Sequence, residues 1–89
     1  LSDQITDEQL LEQAANGDKA AFQILYERYR DPIFRFGYRL LGSVEAAEDV
    51  AHDCFLSLIK EPGRFDSTRA SLRTYIYAAA RNLAAKRYN

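Results

Sequence analysis

The strongest constraint on the fold is an apolar row at Phe22, Leu25, Tyr29, Ile33, Phe36 and Leu40, whose spacing alternates between three and four residues. That is the period of one buried helix face, and no strand pattern reproduces it. The row runs through Asp31-Pro32. Proline removes a backbone donor and crowds the preceding turn. Pro32 therefore either kinks one long helix or opens a second one with Asp31 as its cap. A helix that long with one apolar face needs other helices to cover it.

The rest of the chain supplies them. Thr6-Asp7-Glu8-Gln9 is a capping box, which predicts a short helix running to about Ala15. Asn16-Gly17 stops it, since both residues tolerate left-handed backbone angles. Asp18 caps the long helix, Gly42 ends it, and Ser43 caps the next. That third helix spans about Val44 to Lys60, with Val44, Ala47, Ala51, Cys54, Phe55, Leu58 and Ile59 on its apolar face. Glu61-Pro62-Gly63 breaks it. After a polar loop, Arg64 to Arg69, a last helix starts near Thr68 or Ser71 and buries Leu72, Tyr75, Ile76, Ala79 and Leu83. No β alternation rises above this pattern. The expectation is one all-α domain over residues 1–89, a compact bundle of four to five helices.

Composition narrows the function. The 89 residues are 47% hydrophobic and 28% charged, enough apolar matter for a core. No apolar run approaches a membrane span, and no signal-peptide pattern opens the chain. Cys54 stands alone, which excludes an internal disulfide and suits a reducing compartment. One Cys and one His cannot form the usual four-ligand zinc site. No glycine-rich phosphate loop, HExxH or EF-hand is present, so no metal, cofactor or catalytic residue is expected. His52 and Asp53 are helical neighbours about 100° apart, a poor dyad.

The net charge of −1 hides a gradient. Residues 1–27 hold six acids and one lysine, a net of −5. Residues 62–89 hold six bases and one acid, a net of +5. Two partner surfaces of different chemistry follow from that asymmetry.

The basic end carries Arg64, Arg69, Arg73, Arg81, Lys86 and Arg87 interleaved with Phe65, Tyr75, Tyr77 and Tyr88. Arginines neutralise phosphates, and aromatic faces stack on unpaired bases. Arg73, Tyr77 and Arg81 are spaced four apart, with Ala84 and Tyr88 extending the same wet side. The plainer alternative is a solvated basic face with the Tyr77 hydroxyl wetted at the rim of the core. In the loop, Asp66, Ser67 and Thr68 sit over Phe65, a polar rim on an aromatic floor suited to a flipped base. The alternative there is an ordinary, rather long connection. On the third helix, Glu45, Asp49 and Asp53 form an acidic row flanked by His52 and by Leu56, an apolar residue on the polar side. The row suits docking on a basic partner helix, and a solvated face is an equal alternative. A helical protein–protein adaptor with a merely solvated basic face, or a metal-dependent nuclease built on the acidic row, are the readings from other classes.

Several segments together resemble the region 2 domain of bacterial extracytoplasmic-function (ECF) sigma factors. Asp7-Glu8-Gln9-Leu10-Leu11 through Asn16-Gly17-Asp18 and Ala21-Phe22 resembles the family's opening helices. Leu40-Leu41-Gly42 followed by Glu45 to Leu56 resembles its second segment. Phe65-Asp66, Ser71-Leu72-Arg73 and Ala80-Arg81-Asn82-Leu83-Ala84 resemble its third and fourth. The resemblance implies a non-enzymatic, cytoplasmic domain that docks on the β′ clamp helices of RNA polymerase core. It further implies recognition and melting of the promoter minus-ten element by capture of a flipped non-template-strand base, with an anti-sigma factor as a further partner. Glu45, Asp49, His52, Asp53 and Leu56 match the docking part. Arg64, Phe65, Asp66, Ser67, Thr68, Arg69, Arg73, Tyr77, Arg81 and Asn82 match the DNA part. Three positions depart from the family pattern: His52 replaces a usual Gln, Tyr75 a usual Trp, and Lys86 a common Asp. Such sigma factors also carry a helix-turn-helix domain, so the chain reads as a piece of a longer protein.

Overall fold

Local side-chain chemistry sets where each helix begins. In the computed structural model, which describes residues 5–87, α1 spans Asp7–Ala15, α2 Lys19–Leu41, α3 Val44–Lys60 and α4 Leu72–Arg87. The Thr6 hydroxyl accepts from Gln9 N at 3.1 Å while Gln9 Oε1 accepts from Thr6 N at 3.0 Å, the reciprocal capping box. Asp18 Oδ1 accepts from Ala21 N at 3.1 Å, and Ser43 Oγ from Ala46 N at 3.2 Å. Gly17 and Gly42 adopt positive φ of 99° and 70°, the left-handed turns that end α1 and α2. Pro62–Arg64 forms a single 3₁₀ turn after α3. Ser71 Oγ accepts from Thr74 N at 3.1 Å, which fixes the start of α4 at Leu72 and not at Thr68.

Pro32 lies inside one continuous α2. A proline there forfeits one hydrogen bond, but Leu25, Tyr29, Ile33 and Gly37 are buried on both sides of it. That continuous buried face outweighs the local cost. The architecture is four α-helices, with no strand among the described residues.

α2 packs against all three other helices. Leu25, Ile33, Leu10, Val50, Leu72 and Ile76 are its largest fully buried neighbours and members. Losing most of one such side chain costs about 2–5 kcal/mol, the sum of lost transfer energy and an unfilled cavity. A Cβ built on Gly37 would meet Ala47 Cα at 3.5 Å, so α2 and α3 cross closely there. Cys54 is buried as expected, its thiol donating to the Ile76 carbonyl at 3.5 Å. Burial pushes that thiol up to about 11.

Four details of the helical faces differ from the sequence expectation. Val44 is 54% exposed, because it opens the first turn of α3 beyond the edge of the core. Val50 is buried and belongs to the face from which it was omitted. Ala84 is 1% exposed and faces the core, not solvent. The buried row of α4 is Leu72, Ile76, Ala80 and Ala84, with Tyr75, Ala79 and Leu83 only half-buried. A row of four-residue steps rotates about 40° per step, and the small alanines let α4 close onto its neighbours along it. Tyr88, assigned to the wet side, lies outside the described residues.

Candidate nucleic-acid interface

α4 carries two separate clusters, one on each side of its buried row. On the side towards α2, Arg73, Tyr77 and Arg81 line a cleft of about 450 Å³ together with Phe36, Thr74 and Ala78. The Arg73 guanidinium lies 5.2 Å from the Tyr77 ring centroid, within cation–π range. Tyr77 itself meets Phe36 edge-on at 5.1 Å. Tyr77 is thus half-buried at the rim of the core, closer to the plainer expectation than to a freely exposed platform. Arg81 is exposed, with no ion pair or hydrogen-bond partner recorded among the described residues.

Arg73 also reaches the Tyr29 hydroxyl. Asp7 accepts from that hydroxyl and, at 2.7 Å, from Arg28 Nη1. Burial, reinforced by the bond to Asp7, pushes Tyr29 up to about 12, while the nearby Arg73 cation pulls the other way. Arg73 of the cleft therefore lies beside the network that holds α1 on α2.

The other cluster surrounds the loop. Phe65 is half-buried and meets Tyr75 edge-on at 5.4 Å, so the Tyr75 ring serves as a wall of the loop. Asp66 Oδ1 accepts from Thr68 N at 2.9 Å and from Thr68 Oγ1 at 2.7 Å. Those bonds favour the carboxylate and lower its pKa. Arg69 N donates to the Asp66 carbonyl at 3.0 Å, completing a self-closed turn. Arg64 is exposed and pairs with Glu61 at 3.1 Å. Ser67 and Phe65 line a cleft of about 460 Å³ against Glu8, Leu11, Glu12 and Ala15 of α1. Asn82 is exposed and does not line the Arg73–Tyr77–Arg81 cleft. Seven residues from Tyr75, it falls two turns along the same side of α4 as the loop.

The acidic row lies on α3. Glu45, Asp49, His52, Asp53 and Leu56 are all exposed, Leu56 at 39%. Asp49 pairs with Arg87 at 3.3 Å, so one end of the row is met by the end of α4. Both side chains are solvated, and such a pair stabilises little. His52 lies between two clefts in the α2–α3 groove. One, of about 440 Å³, includes Tyr26, Arg30, Phe34 and Glu48; the other, of about 230 Å³, includes Phe22, Phe55 and Leu56.

Sequence reading missed Phe36 beneath Tyr77, and the α2 side of the groove. The signal for the latter was present: Phe22, Tyr26, Arg30, Phe34 and Tyr38 recur every four residues. It also missed Glu8, whose Oε2 accepts from Leu72 N at 2.9 Å and so caps α4 from α1. No grouping of His, Cys, Asp and Glu fit to hold a metal occurs among the described residues. No described helix is long and apolar enough to cross a membrane.

A four-helix bundle with an acidic helix face and a basic, aromatic last helix defines a class of helical nucleic-acid-associated domain. Residues 25–89 match the sigma-70 region 2 family model, and the chain belongs to that family, in its ECF branch. The chain is 35% identical over 77 residues to the ECF RNA polymerase sigma factor SigW of Bacillus subtilis, covering 86% of this chain and 41% of SigW. It is 31% identical over 80 residues to the ECF RNA polymerase sigma factor BldN of Streptomyces coelicolor, covering 90% of this chain and 30% of BldN. The chain thus spans less than half the length of these relatives. An engineered region 2 of sigmaE, solved by NMR in complex with GTAAAA, superposes with a TM-score of 0.82 at 28% identity, covering 99% of this chain and 90% of that one.

Proposed function

We propose that the chain is a single, non-enzymatic promoter-recognition domain acting in transcription initiation. It docks on RNA polymerase core, on the β′ clamp helices, through Glu45, Asp49, His52, Asp53 and Leu56. It recognises and helps melt the minus-ten element by capturing a flipped base of the single non-template strand. The observation that carries this reading is the likeness to a region 2 domain bound to GTAAAA, combined with an aromatic–arginine cleft on α4.

The chemistry fits a division of labour. The Asp66–Thr68 turn holds the loop in one shape over Phe65 and Tyr75, leaving backbone and Ser67 groups to meet a base edge. Arg69 and Arg81 neutralise phosphates, and the Arg73–Tyr77 pair offers a charged, stacked edge. Opening a base pair costs a few kcal/mol, so binding to duplex alone is weak and docking on polymerase supplies the remainder. An anti-sigma factor would compete for the exposed acidic or basic surface.

The test is titration with single-stranded minus-ten oligonucleotides at two salt concentrations. Each phosphate neutralised contributes about 0.7 to the slope of log K against log salt. Tyr77→Ala, with Tyr77→Phe as a ring-retaining control, is expected to weaken binding at least about five-fold. Equal binding by Tyr77→Ala and by scrambled sequences would overturn base capture. Separately, Asp53→Lys or Leu56→Ala is expected to weaken association with core polymerase, and unchanged docking would remove the acidic row from the interface.

A further inference from the structure

The outer face of the C-terminal half of α2 has no role in the reading above, apart from Phe34 at the edge of the His52 groove. Phe34 and Tyr38, one turn apart, stack with ring centroids at 6.3 Å and planes 19° apart. Tyr38 is 46% exposed, a large aromatic face left in water. Arg35 and Arg39 line a cleft of about 300 Å³ with those two rings. Both guanidiniums are exposed, and neither has an ion pair or hydrogen bond recorded among the described residues. Asp31, one turn before Arg35, is turned towards Arg30 at 3.7 Å, and between Pro32 and Ser43 the chain holds no acid. Arg39 in the last turn complements the helix dipole. That accounts for one charge and not for the exposed Tyr38 ring.

Round α2, Arg39 and Arg35 lie about 60° and 100° from Phe36, and Tyr38 and Phe34 about 160°. Phe36, the next residue after Arg35, forms the floor on which Tyr77 rests. A strand leaving the Arg73–Tyr77–Arg81 cleft over Phe36 and turning round α2 would reach Arg39 and Arg35 before the Phe34–Tyr38 pair. We propose that this face is a second single-stranded nucleic-acid subsite, with Tyr38 stacking a base and Arg35 and Arg39 contacting the flanking phosphates. The inference rests on the DNA-binding reading of α4 and extends the strand's path beyond it. An unpaired strand is the occupant that uses both features at once, since every base has a π-face and every linkage a charge. A basic face alone would equally suit an acidic protein, but the solvent-facing Tyr38 ring, backed by half-buried Phe34 and flanked by two guanidiniums, adds a stacking function.

The experiment compares two probes on the same chain. One is the GTAAAA hexanucleotide, and the other is that strand extended by about five nucleotides at each end, within the span a single small domain covers. Arg35→Gln/Arg39→Gln and Tyr38→Ala alter exposed side chains only, and circular dichroism checks that each variant keeps its helices. Both are expected to bind the hexanucleotide as the parent does. On the long strand, Tyr38→Ala is expected to lose at least about five-fold in affinity. The double arginine variant is expected to lower the salt slope by about 1.4, two phosphates at about 0.7 each. Parent-like binding of the long strand by both variants, while Tyr77→Ala weakens both probes, overturns the second subsite and leaves the α4 reading intact. Parent-like binding by all three overturns both. Equal losses on both probes place these residues in the first site and also overturn the proposal. So does a loss of polymerase association with DNA binding unchanged, which assigns the face to a protein.

Discussion

Replacing Glu8 tests how the bundle fixes the helix that carries both basic clusters. Glu8 Oε2 accepts from Leu72 N at 2.9 Å, across 64 residues of sequence. Leu72 is the first residue of α4, so its N–H is one of the donors with no partner inside the helix. A hydrogen bond to a charged acceptor is worth about 1.5–3 kcal/mol. The carboxylate also sits against the positive end of the helix dipole, worth about 0.3–1 kcal/mol where partly exposed. Glu8 is half-buried, so the lower part of each range applies, and some of the freed N–H is recovered by water. Glu8→Ala is expected to cost about 1.5–2 kcal/mol. Glu8→Gln keeps an acceptor and loses the charge, so it is expected to cost about half of that. For a domain of this size each kcal/mol shifts Tm by about 4–8 °C, giving a fall of roughly 6–16 °C for the alanine variant. Urea denaturation followed by circular dichroism measures the difference, with the midpoint lowered and the slope m unchanged. If both variants stay within about 0.5 kcal/mol of the parent, α4 is placed by its apolar row alone and the capping argument is wrong.

Other expectations can be checked on the same preparation. A Cβ at Gly37 meets Ala47 at ordinary contact distance, so Gly37→Ala should stabilise α2 by about 0.5–1 kcal/mol, whereas Gly37→Leu should destabilise, and denaturant midpoints distinguish the two. Tyr29 and Cys54 both have folded-state values raised, to about 12 and about 11, from 10.0 and 9.0. Each favours the neutral form in the native state, so stability is full below pH 9, declines as pH rises through these values, and Cys54→Ala flattens the earlier part of the decline in an alkaline unfolding series. Ultraviolet titration should show a late tyrosine step, and Tyr29→Phe should abolish it. Asp66 runs the opposite way: its lowered value means its contribution is present above the unfolded range and lost as pH falls through the folded value, so loop-specific chemical shifts of Thr68 should move at low pH and Asp66→Asn should remove the transition.

What could be read from the sequence was whatever depends on a few neighbouring residues. Thr6, Asp18 and Ser43 cap their helices because the acceptor and its N–H lie three residues apart, a relation independent of tertiary structure. Leu25, Tyr29 and Ile33 were legible because a large apolar row admits only one inward face. Ala84 was not, because an alanine is buried or exposed according to how closely a neighbouring helix approaches, and a helical wheel holds no neighbour. Val44 failed for a related reason: its phase is inward, but its turn extends past the core. The candidate site divides the same way. The Arg73–Tyr77–Arg81 row is a local repeat, while Phe36 under Tyr77 and Glu8 under Leu72 are contacts between distant segments.

The site residues also have structural duties that affect how binding losses should be read. Arg73 lies over Tyr77 and reaches the Tyr29 hydroxyl, which in turn donates to Asp7 of α1. Removing the guanidinium therefore changes the surroundings of the Tyr29–Asp7 contact as well as the cleft, so reduced DNA affinity in an Arg73 variant would have more than one source. Arg81 lines the same cleft with no such tie, so its removal would report on the proposed phosphate contact alone. The Asp49–Arg87 pair joins the acidic row to the end of the basic helix in the same way. A phosphate that recruits Arg87 releases Asp49, and a basic partner that recruits Asp49 releases Arg87. Since the pair is solvated and weak, each partner would pay less than about 1 kcal/mol to break it. Any coupling that pair adds between partners of the acidic face and of the basic face is therefore positive and small, because whichever binds first frees a charge for the second.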